Sequence, residues 1–178
     1  RTMRLIDSHC HLDVAEFAAD LPETLERGRK NGVAAYVVPA IDFASWPGLQ
    51  ALAMRYPEIK PAFGLHPMFL AEYQPVHLDA LPGWLQKPEC VAVGECGLDF
   101  FVPGLDAALQ EKVFIEHIRL AVRFAKPLII HARQATERVI HLLKMHGPAT
   151  GVIHSYSGSL EQARQLIAMD IYLGIAGP

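Results

Sequence analysis

Cysteines, long apolar runs and basic segments are all scarce in this sequence. Three cysteines in 178 residues are an odd number, which argues against a disulfide framework and favours reduced thiols in a reducing compartment. No apolar stretch approaches the roughly 20 residues that a membrane-spanning helix needs, and no signal peptide is recognisable. We therefore predict a cytoplasmic protein without a membrane partner.

The balance of charge excludes one mode of nucleic-acid binding. The chain has 16 basic and 19 acidic residues, a net charge of −3, and no basic tail or block. Such a chain does not hold nucleic acid through a broad electropositive surface. A small substrate, or only the end of a nucleic acid, is compatible with this charge. The apolar fraction of 51% is typical of a packed globular protein, and we predict one domain over residues 1–178.

Short apolar runs alternate with helical patterns along the whole chain. The strands are predicted at residues 4–6, 34–39, 59–67, 90–95, 127–131, 151–154 and 171–175. The helices between them are predicted at residues 21–30, 46–55, 78–86, 107–124, 135–144 and 160–168. Strands that are apolar throughout and separated by helices indicate an α/β fold whose parallel sheet is covered on both faces.

Histidines collect where the predicted strands end. The side chains that share this position are His9, His11, His66, Glu95, His131 and His154. In a parallel barrel these strand ends meet on one face, which hosts the active site. The remaining histidines fall in helices or loops and are predicted to be surface residues: His77, His117, His141 and His146. A cluster of this kind is hard to explain by packing and predicts a metal site.

The ligand types narrow the choice of metal. Imidazole and carboxylate without a thiolate cluster suit Zn²⁺, Mn²⁺, Fe²⁺, Ni²⁺, or Mg²⁺ with enough oxygen ligands. Even four of these histidines with the glutamate exceed a single tetrahedral site, so two metals bridged by a carboxylate would use them economically. Metal pairs about 3.5–4 Å apart serve phosphoester hydrolysis in many enzymes.

Five segments in order resemble the motif series of the TatD family, which are metal-dependent deoxyribonucleases among the amidohydrolase-like TIM barrels. The segments are residues 7–13 (DSHCHLD), 64–67 (GLHP), 94–99 (GECGLD), 127–133 (PLIIHAR) and 153–158 (IHSYSG). The resemblance extends from residue 4 to about residue 176. It implies a TIM (β/α)8 barrel that hydrolyses DNA phosphodiester bonds, typically from an end, by a two-metal mechanism.

The resemblance also implies residue roles and partners. His9 and His11 would hold the first metal, Glu95 would bridge both metals in catalysis, and His131 and His154 would hold the second. His66 would act in catalysis by contacting the scissile phosphate. The cofactors would be two divalent ions, such as zinc, magnesium or manganese. The partner would be single-stranded DNA or DNA ends, and no obligate protein partner is evident.

The sequence departs from the family pattern at its end. The family has a further metal-binding aspartate after an eighth strand, whereas this sequence stops at Pro178, just after the seventh predicted strand. We therefore expect a barrel truncated after the seventh strand, with the metal at His9 and His11 short of one ligand.

Some alternatives stay open at this point. Arg133 could contact a phosphate or form a surface ion pair, and Asp99 could orient a ligand or anchor a turn. The chain could hydrolyse an ester or amide outside nucleic acids, although Glu95 replaces the carboxylated lysine that marks many such enzymes. It could also be a non-catalytic, metal-binding fragment.

Overall fold

The computed structural model describes residues 4–176, and its seven strands form one parallel sheet in the order in which they occur along the chain. The strands are β1 (Leu5–Asp7), β2 (Val33–Pro39), β3 (Ile59–Phe63), β4 (Ala92–Asp99), β5 (Leu128–Arg133), β6 (Gly151–Ile153) and β7 (Ile171–Leu173). Such a sheet with helices is a half-barrel, which confirms the predicted α/β class. Within the described residues, β1 pairs only with β2, and β7 pairs only with β6.

Six helices connect the strands. They are α1 (Leu21–Lys30), α2 (Trp46–Arg55), α3 (Pro75–Leu85), α4 (Ala107–Phe124), α5 (Thr136–His146) and α6 (Leu160–Ile167). Local signals set several ends: the Asp106 carboxylate accepts from Leu109 N at 3.0 Å to begin α4, and Ser159 with Gln162 forms a capping box at α6. None of these helices is both long enough and apolar enough to cross a bilayer.

The third strand and the third helix have different bounds from those predicted. The third strand ends at Phe63 and is followed by a loop and a 3₁₀ turn at Pro67–Phe69, so His66 lies in a loop. Helix α3 begins three residues earlier than predicted, because Pro75 occupies its first turn, where the missing N–H costs nothing.

The fourth strand is longer than predicted, and this changes the position of the glutamate. It runs on to Asp99, so Glu95 lies in the middle of β4, not at its end. His131 likewise lies inside β5. Pairing with β5, including Gly97 with His131, extends β4 beyond Glu95, and every residue of the strand is buried.

Candidate metal centre

Glu95 lies at the centre of the histidine cluster, with only 2% of its surface exposed. One oxygen of its carboxylate, Oε2, faces the two histidines that follow β1. It lies 3.3 Å from Nε2 of His9 and 3.6 Å from Nε2 of His11. The three side chains form a compact group of potential metal ligands.

The other carboxylate oxygen, Oε1, faces a second set of histidines. It lies 2.7 Å from Nε2 of His154, 3.5 Å from Nδ1 of His131 and 3.4 Å from Nε2 of His66. The structure thus brings together all six side chains that the sequence singled out as a cluster, and it divides the five histidines between the two oxygens of the Glu95 carboxylate.

Backbone hydrogen bonds to the segment after β2 hold two site residues, Glu95 and His66, in place. Glu95 N donates to the carbonyl of Ala40 at 3.0 Å, and His66 N donates to the carbonyl of Ile41 at 2.8 Å. Both carbonyls belong to the chain leaving β2. One short segment therefore sets the spacing between the Glu95 carboxylate and the histidine beside it.

Close backbone contacts at glycines let the strands approach each other here. A Cβ at Gly64 would lie 2.7 Å from Cα of Gly94, and a Cβ at Gly97 would lie 2.1 Å from the carbonyl oxygen of His131. No side chain fits at these positions. These glycines therefore allow the strands that carry Glu95 and His131 to approach closely.

Asp99 orients the imidazole of His131. Its Oδ2 lies 2.8 Å from Nε2 of His131, and its Oδ1 accepts from the backbone N–H groups of Phe101 and Val102 at 3.0 Å each. Burial by itself lowers the pKa of His131, but the carboxylates of Glu95 and Asp99 outweigh it and raise that pKa above its ordinary value. With a proton on Nε2, the lone pair on Nδ1 is directed towards Glu95. Asp99 thus both anchors its loop and orients the histidine.

Two buried polar residues of α4 hold this framework; Gln110 was not predicted from the sequence, and His117 was predicted to lie on the surface. Gln110 clamps Asp99: its Oε1 accepts from Asp99 N at 2.8 Å and its Nε2 donates to the carbonyl of Asp99 at 3.0 Å. His117 is fully buried, so its predicted place on the surface is wrong. Its Nε2 accepts from Leu65 N at 3.0 Å, and its Nδ1 lies 2.8 Å from the carbonyl of Val113.

The pattern of α4 contained a signal for both residues. Positions 110 and 117 are seven residues apart and therefore share one helix face with the buried Val113 and Phe114. A polar residue on the apolar face of a helix that covers a sheet has to find a partner, because an unpaired buried polar group costs about 1–3 kcal/mol. Here Gln110 pairs with the backbone of Asp99, and His117 pairs with the backbone N–H of Leu65, next to His66.

His66 differs from the other histidines in its hydrogen bonding. Its ligand atom lies within 4.8 Å of those of Glu95 and His131, so proximity alone would count it as a ligand. However, its Nδ1 accepts from Met68 N at 3.1 Å. The neutral ring therefore carries its proton on Nε2, on the side of Glu95, where it is available as a donor to a ligand. Burial lowers the pKa of His66, which favours this neutral form.

The donor set fits divalent metal ions. Both ring nitrogens of His9 and the Oε1 of Glu95 are buried without a hydrogen-bond partner among the described residues. Burial raises the pKa of Glu95, but the nearby imidazoles of His131, His154, His66 and His9 outweigh it and hold that pKa well below its usual range. Two ligands on a tetrahedral zinc stand about 3.3 Å apart. The separations of 3.3 and 3.6 Å between Oε2 and its two imidazoles are close to this value.

Arg133 is exposed at the end of β5, two residues beyond His131. Its guanidinium carbon lies 3.8 Å from the centroid of the Phe101 ring, a cation–π contact. Within residues 4–176, no carboxylate forms an ion pair with it. The ion-pair alternative is therefore not realised here, and the donors of this guanidinium remain available to an anionic ligand.

Replacing Asp99 by asparagine is expected to weaken divalent-metal binding by about 10–100-fold, as the loss of a group that orients a metal-binding histidine does in other sites. The amide keeps the size of Asp99 but removes the charge that holds the proton on Nε2 of His131. Titration calorimetry with Zn²⁺ and Mn²⁺ measures the effect. Asp106→Asn, at the exposed start of α4, is the control, and equal affinities for the two variants would contradict the role of Asp99.

Comparison with known proteins gives the same family that the sequence motifs resemble. The protein-family profile described as "TatD related DNase" matches residues 6–178. The "Uncharacterized metal-dependent hydrolase YjjV" of Escherichia coli K12 is 36% identical over 177 residues, which cover 98% of this chain and 68% of that protein. The "3'-5' ssDNA/RNA exonuclease TatD" of Escherichia fergusonii is 30% identical over 175 residues, covering 97% and 67%.

A solved structure extends the agreement to three dimensions. The crystal structure of YjjV, a TatD homologue from Escherichia coli K12, superposes with a TM-score of 0.91 at 34% identity. The match covers 97% of this chain and 68% of that one. Sequence pattern, relatives and fold agree with the histidine and glutamate cluster: the chain belongs to the TatD-related DNase family of metal-dependent hydrolases.

Proposed function

We propose that this chain hydrolyses phosphodiester bonds near the end of a DNA strand, using two divalent ions bridged by Glu95. The observation that carries the proposal is the division of this buried carboxylate, with His9 and His11 at one oxygen and His131 and His154 at the other. A relative named as an exonuclease of single-stranded DNA and RNA supports the substrate class.

The residues around each oxygen form the proposed ligand sets. His9 and His11 would hold one ion with Oε2 of Glu95, while His131 through Nδ1 and His154 through Nε2 would hold the other with Oε1. Zinc, magnesium and manganese are the candidate ions. Such a pair supplies an activated water and neutralises charge on the phosphoryl oxygens.

Two further side chains would bind the phosphate. His66 carries its proton on Nε2, beside Glu95, and would donate a hydrogen bond to a phosphoryl oxygen at the ions. Arg133 would contact a phosphate farther along the strand, because its guanidinium is exposed and lacks an ion-pair partner among residues 4–176. Both residues therefore act as donors, and neither needs to act as a metal ligand.

The net charge of −3 favours contact with a strand end over contact with a long duplex. A protein that neutralises many phosphates binds with a steep dependence on salt, whereas one that contacts one or two phosphates does not. We therefore expect cleavage to be only weakly reduced between 50 and 200 mM salt, by about tenfold or less.

End-labelled single-stranded DNA tests the proposal directly. The chain is incubated with the DNA and Mg²⁺, Mn²⁺ or Zn²⁺, with and without a chelator, and the products are sized by electrophoresis. Stepwise loss of terminal nucleotides that the chelator abolishes is the expected result. His154→Ala should remove the activity, while His141→Ala, on the exposed face of α5, should not.

A parallel arm addresses the alternative substrate class. Bis(p-nitrophenyl) phosphate and p-nitrophenyl acetate are offered under the same conditions. Turnover of the acetate alone would replace the proposal by hydrolysis of non-nucleotide esters, a reading that the "uncharacterized metal-dependent hydrolase" relatives also allow. No turnover of any substrate would leave only metal binding and would overturn the proposal.

A further inference from the structure

An open cleft of about 450 Å³ lies beside the metal centre, between the loops that follow β2 and β3. We call it the Phe69 cleft. Its volume is within the range of about 300–1,000 Å³ that is usual for small-molecule sites. The lining residues that matter for its chemistry are Asp42, Phe43, Met68, Phe69, Glu72 and His77.

One wall of the Phe69 cleft is in contact with the proposed site. The ring of Phe69 meets the ring of His66 edge to face, with centroids 5.5 Å apart and an angle of 65° between the planes. His66 in turn lies 3.4 Å from the Glu95 carboxylate. The cleft is thus one imidazole ring away from the bridging carboxylate, and a group bound in it would adjoin a phosphate held at the metal centre.

The aromatic surface of this wall is accessible. Phe69 is 47% exposed and the neighbouring Met68 is 37% exposed, although both lie in a short turn anchored by the hydrogen bond from Met68 N to His66. Exposed apolar side chains next to a polar site are more often functional than those scattered singly over a surface. Their position, fixed by His66, makes them a preformed platform.

Another part of the lining is also aromatic, and its rings are held by their neighbours. Phe43 stacks on His77 with centroids 4.3 Å apart and planes at 8°, and it packs edge to face on the buried Trp46 at 5.0 Å. The His77 ring is itself fixed, because its Nδ1 accepts from Gln74 N at 3.3 Å at the start of α3. An aromatic ring bound in the cleft would therefore meet aromatic surface that does not have to rearrange.

The charges of the cleft distinguish between possible occupants. Among the described residues, no lysine or arginine lines it, whereas the carboxylates of Asp42 and Glu72 do. Such a lining repels a phosphate and accepts an uncharged planar ring. The phosphate-binding groups, in contrast, lie on the side of His66 and Glu95. A nucleotide placed with its phosphate at the ions would direct an uncharged base to the cleft.

We propose that the Phe69 cleft binds a nucleobase adjoining the scissile phosphate, with Phe69 as its stacking partner. The inference rests on the proposed function and names the subsite that selects nucleotides over other phosphodiesters. Stacking of a base on an aromatic side chain is sequence-tolerant, because every base has a π-face. The subsite should therefore favour the presence of a base without strongly selecting its identity.

A pair of substrates isolates the base. One is a short single-stranded DNA with ordinary nucleotides, and the other carries tetrahydrofuran abasic units on both sides of the terminal phosphodiester. We expect kcat/KM to be about tenfold higher for the first substrate, the size that aromatic stacking supplies. Phe69→Ala should lower kcat/KM for the ordinary DNA to about the abasic value and leave the abasic substrate unchanged.

Controls keep the result specific to the ring. Phe69→Leu retains apolar bulk, so it should fold like the wild type and still lose the preference for a base. Phe100→Ala removes another partly exposed ring, outside the cleft, and should keep the preference. Titration calorimetry without metal should detect thymidine binding to the wild type. Phe69→Ala and Phe69→Leu should both weaken this binding.

The outcomes separate this inference from the proposed function. Equal cleavage of the two DNA substrates by the wild type, or an unchanged preference in Phe69→Leu, would overturn the base subsite while leaving the nuclease intact. Absence of cleavage of either DNA, with thymidine still bound through Phe69, would overturn the nuclease and keep a nucleoside-binding cleft. Absence of both would overturn both proposals.

Discussion

Glu95→Gln is expected to lower the hydrolytic rate by about a thousandfold and to abolish tight binding of divalent ions. Glutamine keeps the size of the side chain but loses the negative charge and one of the two oxygens that face separate imidazole groups. Charge stabilisation by a catalytic metal amounts to several kcal/mol, and about 4 kcal/mol corresponds to a thousandfold change in rate. Single-turnover hydrolysis of labelled DNA and calorimetric titration with Mn²⁺ measure the two effects.

The control for this experiment is Glu161→Gln, which makes the same chemical change on the exposed surface of α6. It should leave both the rate and the metal affinity unchanged. Circular dichroism of both variants establishes that they are folded. A folded Glu95→Gln protein that retains wild-type metal stoichiometry would contradict the bridging role and would leave two independent histidine sites.

Acidification is expected to destabilise the protein through His117. Burial lowers the pKa of this residue to about 4, from an ordinary value of 6.5. Between these two pH values the unfolded chain binds a proton that the folded protein does not, so stability is fully present above pH 6.5 and falls as the pH decreases towards 4. A shift of this size corresponds to about 3 kcal/mol of lost stability.

The His117→Gln variant isolates this contribution. Urea unfolding of wild type and variant is followed from pH 7.5 to pH 4, and the difference between the two curves is taken, because it cancels other titrating groups such as His66. The wild type should lose about 3 kcal/mol more than the variant. His141→Gln, at an exposed position of α5, should follow the wild type. Parallel curves for wild type and His117→Gln would contradict the depressed pKa.

The burial of His117 has a consequence for the site as well as for stability. Protonation of its Nε2 would remove the acceptor for Leu65 N, one residue before His66. Gln110, two turns away on the same helix, holds the backbone of Asp99 in the same manner. One face of α4 therefore supports the loops after β3 and β4.

Local signals in the sequence were sufficient for much of the secondary structure. Helices α1, α2 and α4 have the predicted bounds, because each is set by residues next to it: proline in the first turn of α1 and α2, and Asp106 before α4. The order of strands and helices likewise predicted the parallel sheet without knowledge of long-range contacts. Alternation of apolar strands and amphipathic helices is a property of the chain that does not depend on long-range contacts.

The sequence by itself also determined which side chains meet. Histidines and a glutamate on separate parallel strands converge on one face whatever the detailed packing, and the structure brings them together around Glu95. Their roles as metal ligands remain a prediction that the Asp99 and Glu95 variants test.

The family resemblance implied which histidines share an ion, but only the tertiary structure decided which atoms face each other. The sequence does not contain which oxygen of Glu95 faces His9 and which faces His131, because this depends on how the packed strands orient the rings. The proton position on His66 follows from the turn that brings Met68 N to its Nδ1. The sequence pattern placed Glu95 at a strand end and His117 on the surface. Strand pairing with β5 and the packing of α4 overrode those local signals, since neighbours in space, not in sequence, determine burial and hydrogen bonding.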